Sequence, residues 1–150
     1  DLVSNNDPQF QKIIFSALPY TDYLLLNEIE AQLLFKKSIV NAKYQLNKNL
    51  IIKLSKNIFQ KGLQKALVIH SPLESLYVSK DNFYHSKSIK ILKKNIKNAV
   101  GAGDAFCAGF IFGIHEEWDI ETTLKKSHAA GSAMMKINTS SGNLPNIKNL

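Results

Sequence analysis

Residues 98–110 read Asn98-Ala99-Val100-Gly101-Ala102-Gly103-Asp104-Ala105-Phe106-Cys107-Ala108-Gly109-Phe110. Two glycines and an alanine lead into an aspartate, and a small-residue apolar helix is expected to begin at once. Such a turn presents backbone N–H groups at a helix N-terminus, where the partial positive charge attracts anions. Asp104 is out of place in a pure anion site, because its charge repels a phosphate. The two features fit one chemistry if the carboxylate takes a proton while the N–H groups hold a phosphoryl group. A plainer reading stays open at this point: Gly-x-Gly-Asp also arises as an ordinary loop with Asp as helix N-cap. The glycine spacing departs from the dinucleotide fingerprint and the Walker loop, and no Lys-Ser/Thr follows.

The composition narrows the classes. With 150 residues and 45% apolar content, the chain can bury one core and is not expected to be disordered. Its apolar runs are too short to span a membrane, no signal peptide opens it, and no membrane partner is expected. One cysteine, Cys107, excludes an internal disulfide framework and fits a reducing, cytoplasmic setting. It reads as a small buried hydrophobe rather than a reactive thiol. The net charge of +7 is mostly lysine, but the lysines are scattered along the chain, so specific nucleic-acid binding is not expected.

Working outward, Asp7-Pro8 resembles an N-cap followed by proline at the first helical position, with a short helix to about Ala17 stopped by Pro19. Residues 22–26 are a short apolar run expected as a buried strand, and 27–35 read as helical. A second helix is expected over 48–64, with Leu50, Ile51, Leu54, Ile58 and Phe59 on one face and Gly62 near its end. Residues 66–70 form the next buried strand. Segments 75–78, 82–85 and 88–96 read as a meander with Lys80-Asp81 as a turn. Helices are expected over 105–116 and 120–136, where the small residues 129–133 permit close packing on a sheet. The tail, 138–150, reads as coil or a short turn. This order argues for α/β layers.

Two further constellations follow strands. Asn27 and Glu30 stand three apart at a helix start, so both can face one cleft. Asn27 could donate to a phosphate oxygen and Glu30 could order a water on Mg²⁺; a capping box is the competing account. The strand 66–70 runs into His70-Ser71-Pro72-Leu73-Glu74-Ser75, and strand ends at the carboxyl edge of an α/β sheet are where ligands bind.

Together these residues resemble the C-terminal half of a ribokinase-like, PfkB-family carbohydrate kinase, over nearly the whole chain. Residues 22–31 are similar to that family's strand followed by Asn-x-x-Glu, and 100–109 to its signature around Gly-Ala-Gly-Asp. His128-Ala129-Ala130, Gly142 and Pro145 resemble its adenine-side helix and closing segment. The resemblance implies a three-layer ribokinase-like sheet with flanking helices, of which residues 1–150 form the ATP-binding, catalytic-base portion. It implies ATP and Mg²⁺ as cofactors. Asp104 would be the base that deprotonates the attacking sugar hydroxyl, and Gly101, Ala102 and Gly103 the anion hole. Asn27 would touch ATP phosphates, and Glu30 would help hold Mg²⁺ through water. His70, Ser71 and Ser75 would run along the nucleotide, and His128 would lie by the adenosine, where the residues alone suggest a plain helix-surface histidine. Phosphoryl transfer needs positioning and charge neutralisation more than covalent chemistry.

The departures carry information. The family usually has Asp-Thr before the glycine turn, the Asp serving a monovalent-cation site; Asn98-Ala99 stand here, which speaks against K⁺ activation. Its Thr-x-Gly-x-x-Gly nucleotide loop is replaced by residues 70–75, without either glycine. The first Gly-Gly signature, most sugar contacts and the lid belong to an N-terminal half that this chain lacks, although residues 1–4 resemble the strand that follows it. The expected partners are therefore a small sugar or nucleoside, the missing half, and a second copy in a homodimer. A non-catalytic nucleotide- or partner-binding module is the alternative function.

Overall fold

The computed structural model describes residues 9–138 and 146–149. The chain divides into two compact units at Tyr84 and His85. The expected cap at Asp7-Pro8, the strand-like residues 1–4, and Gly142 and Pro145 lie outside the described residues.

The first unit is mixed α/β. Helix α1 (Phe10–Ala17) ends where Leu18–Tyr20 tighten into a 3₁₀ turn around Pro19. Strand β1 (Tyr23–Asn27) leads directly into α2 (Glu28–Phe35), and α3 (Lys48–Gln60) leads to β2 (Ala66–His70) and β3 (Glu74–Val78). Strand β4 (Phe83–Lys87) contains the division between the units, and the sheet order is β1-β2-β3-β4. β1 and β2 are parallel, so the helical crossover between them is obligatory; β2 and β3 are antiparallel and need only a tight turn.

Strand alternation sorts the side chains. Leu26, Leu67, Ile69, Leu76 and Val78 join Ala31, Leu34, Ile51 and Ile58 in one buried cluster. The expected apolar face of α3 is borne out: Ile51 and Ile58 are buried and Leu50, Leu54 and Phe59 pack against the same core. The intervening strand positions, including Asn27, His70 and Ser75, point to the opposite face of the sheet.

Helix α3 ends four residues before the expected Gln64. Gly62 adopts φ +113°, its N–H donates to the Phe59 carbonyl at 3.0 Å, and the Leu63 N–H reaches back to Ile58 at 3.3 Å. This pair of bonds closes the helix around a left-handed glycine, and both Leu63 and Ile58 are buried behind it.

The second unit holds α4 (Ala102–His115) and α5 (Ile120–Met134), with Ala105, Ala130 and Met134 buried between them and Ile137 and Ile147 packed alongside. The expected strand over 88–96 is not formed. That stretch contains only a 3₁₀ turn at Lys93–Asn95, and Leu92 to Lys97 are all exposed. Alternation alone resembled a strand, but lysines and apolar residues here both face solvent. The described contacts of the small residues Ala130 and Gly131 are with α4. In the tail, the described residues Ile147–Asn149 form a short 3₁₀ turn.

Candidate active site

Each unit carries one group of the residues singled out above. In the first, Asn27 ends β1 and is the N-cap of α2. Its Oδ1 accepts from the Ile29 and Glu30 amides at 3.0 and 2.8 Å, while Glu30 Oε2 accepts from the Asn27 amide at 2.8 Å. The capping box is therefore real, and it locks both side chains at the carboxyl end of β1. The box uses Oδ1 and leaves the Asn27 Nδ2 donor outside it.

β-Sheet register then brings the second constellation alongside. Asn27 pairs with His70, and His70 pairs with Ser75, so the three stand in a row across β1, β2 and β3 on one face. Residues 71–74 close a hairpin of their own. The Ser71 amide and hydroxyl both donate to the Glu74 carbonyl, at 2.8 and 3.0 Å. Ser71 Oγ in turn accepts from the Leu73 and Glu74 amides at 3.3 and 3.2 Å. Ser71 is thus occupied within its turn, and Ser75 is completely buried. Glu74 Oε1 accepts from the Leu46 amide at 2.6 Å, tying the α2–α3 connection to the same hairpin.

Glu28 was missed in the sequence. It is the first residue of α2, beside the Asn27–Glu30 box, yet it is 9% exposed. Burial pushes its carboxyl above the ordinary range; a backbone hydrogen bond opposes the rise and the neighbouring Glu30 charge adds to it. Its position at a strand end was the available signal, but burial is decided by distant residues.

In the second unit, helix α4 starts at Ala102, three residues earlier than expected. Gly101 is its N-cap, left-handed at φ +82° and ψ −5°, a conformation that costs other residues a steric penalty. No side chain caps this end. The Ala102 N–H turns back to the Ala99 carbonyl at 3.3 Å, and the Ala105 N–H closes onto Gly101 at 2.9 Å. The Gly103 and Asp104 amides remain as the first-turn donors outside the ladder. Asp104 is the third helical residue, with its side chain exposed.

The approach to this turn is braced. Asn98 Oδ1 accepts from the Val100 amide at 3.0 Å. The Lys97 and Asn98 amides both donate to the Met135 carbonyl at the end of α5, at 2.9 and 3.4 Å. Gly131 of α5 lies so close to the Ala102 carbonyl that a Cβ there would sit 3.0 Å from its oxygen. His128, one turn earlier on α5, is 5% exposed and meets Phe106 edge-on, with ring centroids 5.0 Å apart. It is not the surface histidine that the residues alone suggest, because the aromatic partner from α4 covers it. Cys107 is half-buried on α4. Among the described residues no group of three or more His, Cys, Asp or Glu side chains is placed to hold a metal ion. No helix among them is long and apolar enough to cross a membrane.

The fold, a mixed sheet with flanking helices, is shared with ribokinase-like structures. Arabidopsis thaliana ribokinase, solved with ribose and ATP, superposes with a TM-score of 0.74 at 20% identity, over 89% of this chain and 41% of that one. Residues 1–146 match the pfkB family carbohydrate kinase, and the chain belongs to that family. It is 28% identical over 120 residues to a 1-phosphofructokinase of Borreliella burgdorferi, a match covering 79% of this chain and 38% of the relative. It is 31% identical over 86 residues to a 5-dehydro-2-deoxygluconokinase of Lacticaseibacillus casei, covering 56% of this chain and 26% of the relative. The chain thus spans well under half the length of these relatives.

Proposed function

We propose that these residues are the ATP-side, catalytic-base portion of a carbohydrate kinase, which transfers the γ-phosphoryl group of ATP to a sugar hydroxyl. The observation that carries the reading is the start of α4: a left-handed glycine, no side-chain cap, and an exposed carboxylate on the same turn. Family membership supports it. Asp104 accepts the proton of the attacking hydroxyl, so that the sugar oxygen bonds to phosphorus as the bond to ADP breaks. The Gly103 and Asp104 amides, backed by the α4 dipole, stabilise charge on the transferring group; Gly101 and Ala102 shape the hole. ATP supplies the phosphoryl group when bound.

The remaining roles follow the same frame. Asn27 offers Nδ2 to a phosphate oxygen while Oδ1 keeps α2 capped. Glu30 helps position Mg²⁺ through water. One carboxylate fits that task, because Mg²⁺ keeps several waters and shares phosphate oxygens. His70 flanks the nucleotide on the hairpin closed by Ser71, with Ser75 paired to it across β3, and His128 with Phe106 backs the adenosine side. No monovalent cation is invoked, since the neutral Asn98 stands where the family usually has an aspartate.

The sugar, or a nucleoside in its place, would be bound largely by an N-terminal half that completes the sheet. β1 is the first strand in the sheet order and has a described partner on one side, β2. An apolar edge of that kind calls for a covering strand. Residues 1–150 would then be one portion of a single kinase domain, acting in the cytoplasm.

The test is Asp104→Asn in the natural polypeptide that contains these residues, with a panel of sugars and Mg-ATP. A loss of about a hundredfold or more in kcat is expected from removing a general base; near-normal kcat would sink the assignment. A non-catalytic nucleotide- or partner-binding module is favoured by one observation, the occupied Ser71 and buried Ser75. Calorimetry with Mg-ATP tests the partner-binding form of the module: no heat of binding, with tight association to another polypeptide, would favour it, whereas a nucleotide-binding module would bind Mg-ATP and leave kcat at background.

A further inference from the structure

We infer that Asn98 is a positioning residue for the anion-binding turn of α4; the inference rests on the kinase reading above. The Gly103 and Asp104 amides can face a phosphoryl group only if Gly101 holds its left-handed conformation and Ala102 begins the helix in one place. Nothing at the helix start enforces this from within, because α4 has no side-chain cap. The enforcement comes from the preceding four residues. Asn98 Oδ1 takes the Val100 N–H at 3.0 Å, folding residues 98–100 into a side-chain-closed turn. The Lys97 and Asn98 amides bind the Met135 carbonyl, so this turn is anchored to the end of α5. The Ala102 N–H then closes onto Ala99 at 3.3 Å. The chain is therefore held at Met135, folded once by Asn98 and delivered into Gly101.

Asn98 touches neither reacting atom nor phosphate in this scheme. It acts by keeping the donors aimed. The amide oxygen supplies the acceptor that closes this turn. The experiment compares Asn98→Ala with Asn98→Ser in the natural polypeptide. Serine keeps a neutral acceptor for the same turn, though a weaker one. Asn98→Ala should lower kcat about tenfold, the scale of one lost hydrogen bond, with the sugar KM unchanged. Asn98→Ser should return kcat to within about threefold of the wild type on the same argument. A merely structural role would lower the active fraction and leave kcat per active site unchanged.

An activity-free readout runs alongside: the ¹⁵N amide shifts of Gly103 and Asp104 on titration with inorganic phosphate. Asn98→Ala should weaken that response and Asn98→Ser restore much of it. Unchanged kcat and unchanged phosphate response in Asn98→Ala would overturn the inference, as would a serine variant no better than alanine in both. If the natural polypeptide phosphorylates no sugar, the kinase reading fails and the phosphate titration alone decides the role of Asn98.

Discussion

Replacing Asn27 separates its two roles by free energy. In Asn27→Ala the Ile29 and Glu30 amides lose their acceptor, while the reverse bond from the residue 27 amide to Glu30 survives. Removing an N-cap side chain costs about 1 kcal/mol, within a range of about 0.5–2. The Glu30 amide is part-buried, so water replaces the lost bond poorly and the upper half of that range is expected. At roughly 1–2 °C per kcal/mol for a polypeptide about the length of the relatives, the melting temperature should fall by about 1–4 °C. Asn27→Asp keeps an oxygen in the capping position and should stay within about 0.5 kcal/mol of wild type. It removes Nδ2, however, and sets a negative charge where phosphate is proposed to bind. Loss of a hydrogen bond to a charged group, at about 1.5–3 kcal/mol, predicts Mg-ATP binding weakened roughly 10- to 100-fold. Thermal unfolding by circular dichroism and titration calorimetry on the natural polypeptide give both numbers. If Asn27→Asp binds Mg-ATP like the wild type, Asn27 is a cap and nothing more. If Asn27→Ala melts with the wild type, the capping argument is refuted.

Gly62→Ala forces a left-handed alanine and places its Cβ 2.9 Å from the Pro19 Cα, a backbone atom that cannot swing away. Strain of about 1–2 kcal/mol and overpacking of about 1–3 add to a loss of about 2–5 kcal/mol, read from the urea midpoint at unchanged m. Glu28 tests the pH dependence. Its folded carboxyl lies above the ordinary value of 4.5 because of burial, so it holds its proton more tightly folded than unfolded. The stability it contributes is full below that ordinary value and is lost as pH rises through the folded value. Glu28→Gln should therefore match the wild type at acid pH and gain on it as pH rises; a difference that stays constant from pH 4 to 8 would contradict the burial account. For monovalent cations, equal kcat in Na⁺ and K⁺ buffers is expected from the neutral Asn98, and a strict K⁺ requirement would refute that reading.

The chain by itself determined what depends on near neighbours. Strands β1 and β2 were legible as short apolar runs bounded by polar residues, and β2 matches its expected range, Ala66–His70. The Asn27–Glu30 box and the glycine turn at Gly101 were legible because capping and left-handed glycine chemistry act within four residues. Tertiary structure decided the rest. Only sheet register sets Asn27 beside His70 and His70 beside Ser75. Only the packing of α5 on α4 turns His128 inward onto Phe106 and ties Lys97 and Asn98 to Met135. Burial of Glu28 and Ser75 likewise comes from residues remote in sequence, and alternation over 88–96 does not make a strand where Leu92 to Lys97, apolar and lysine side chains alike, stay exposed. Hydrogen-bond patterns inside one turn are written in adjacent residues, whereas burial and register are properties of surfaces that meet only when the chain has folded.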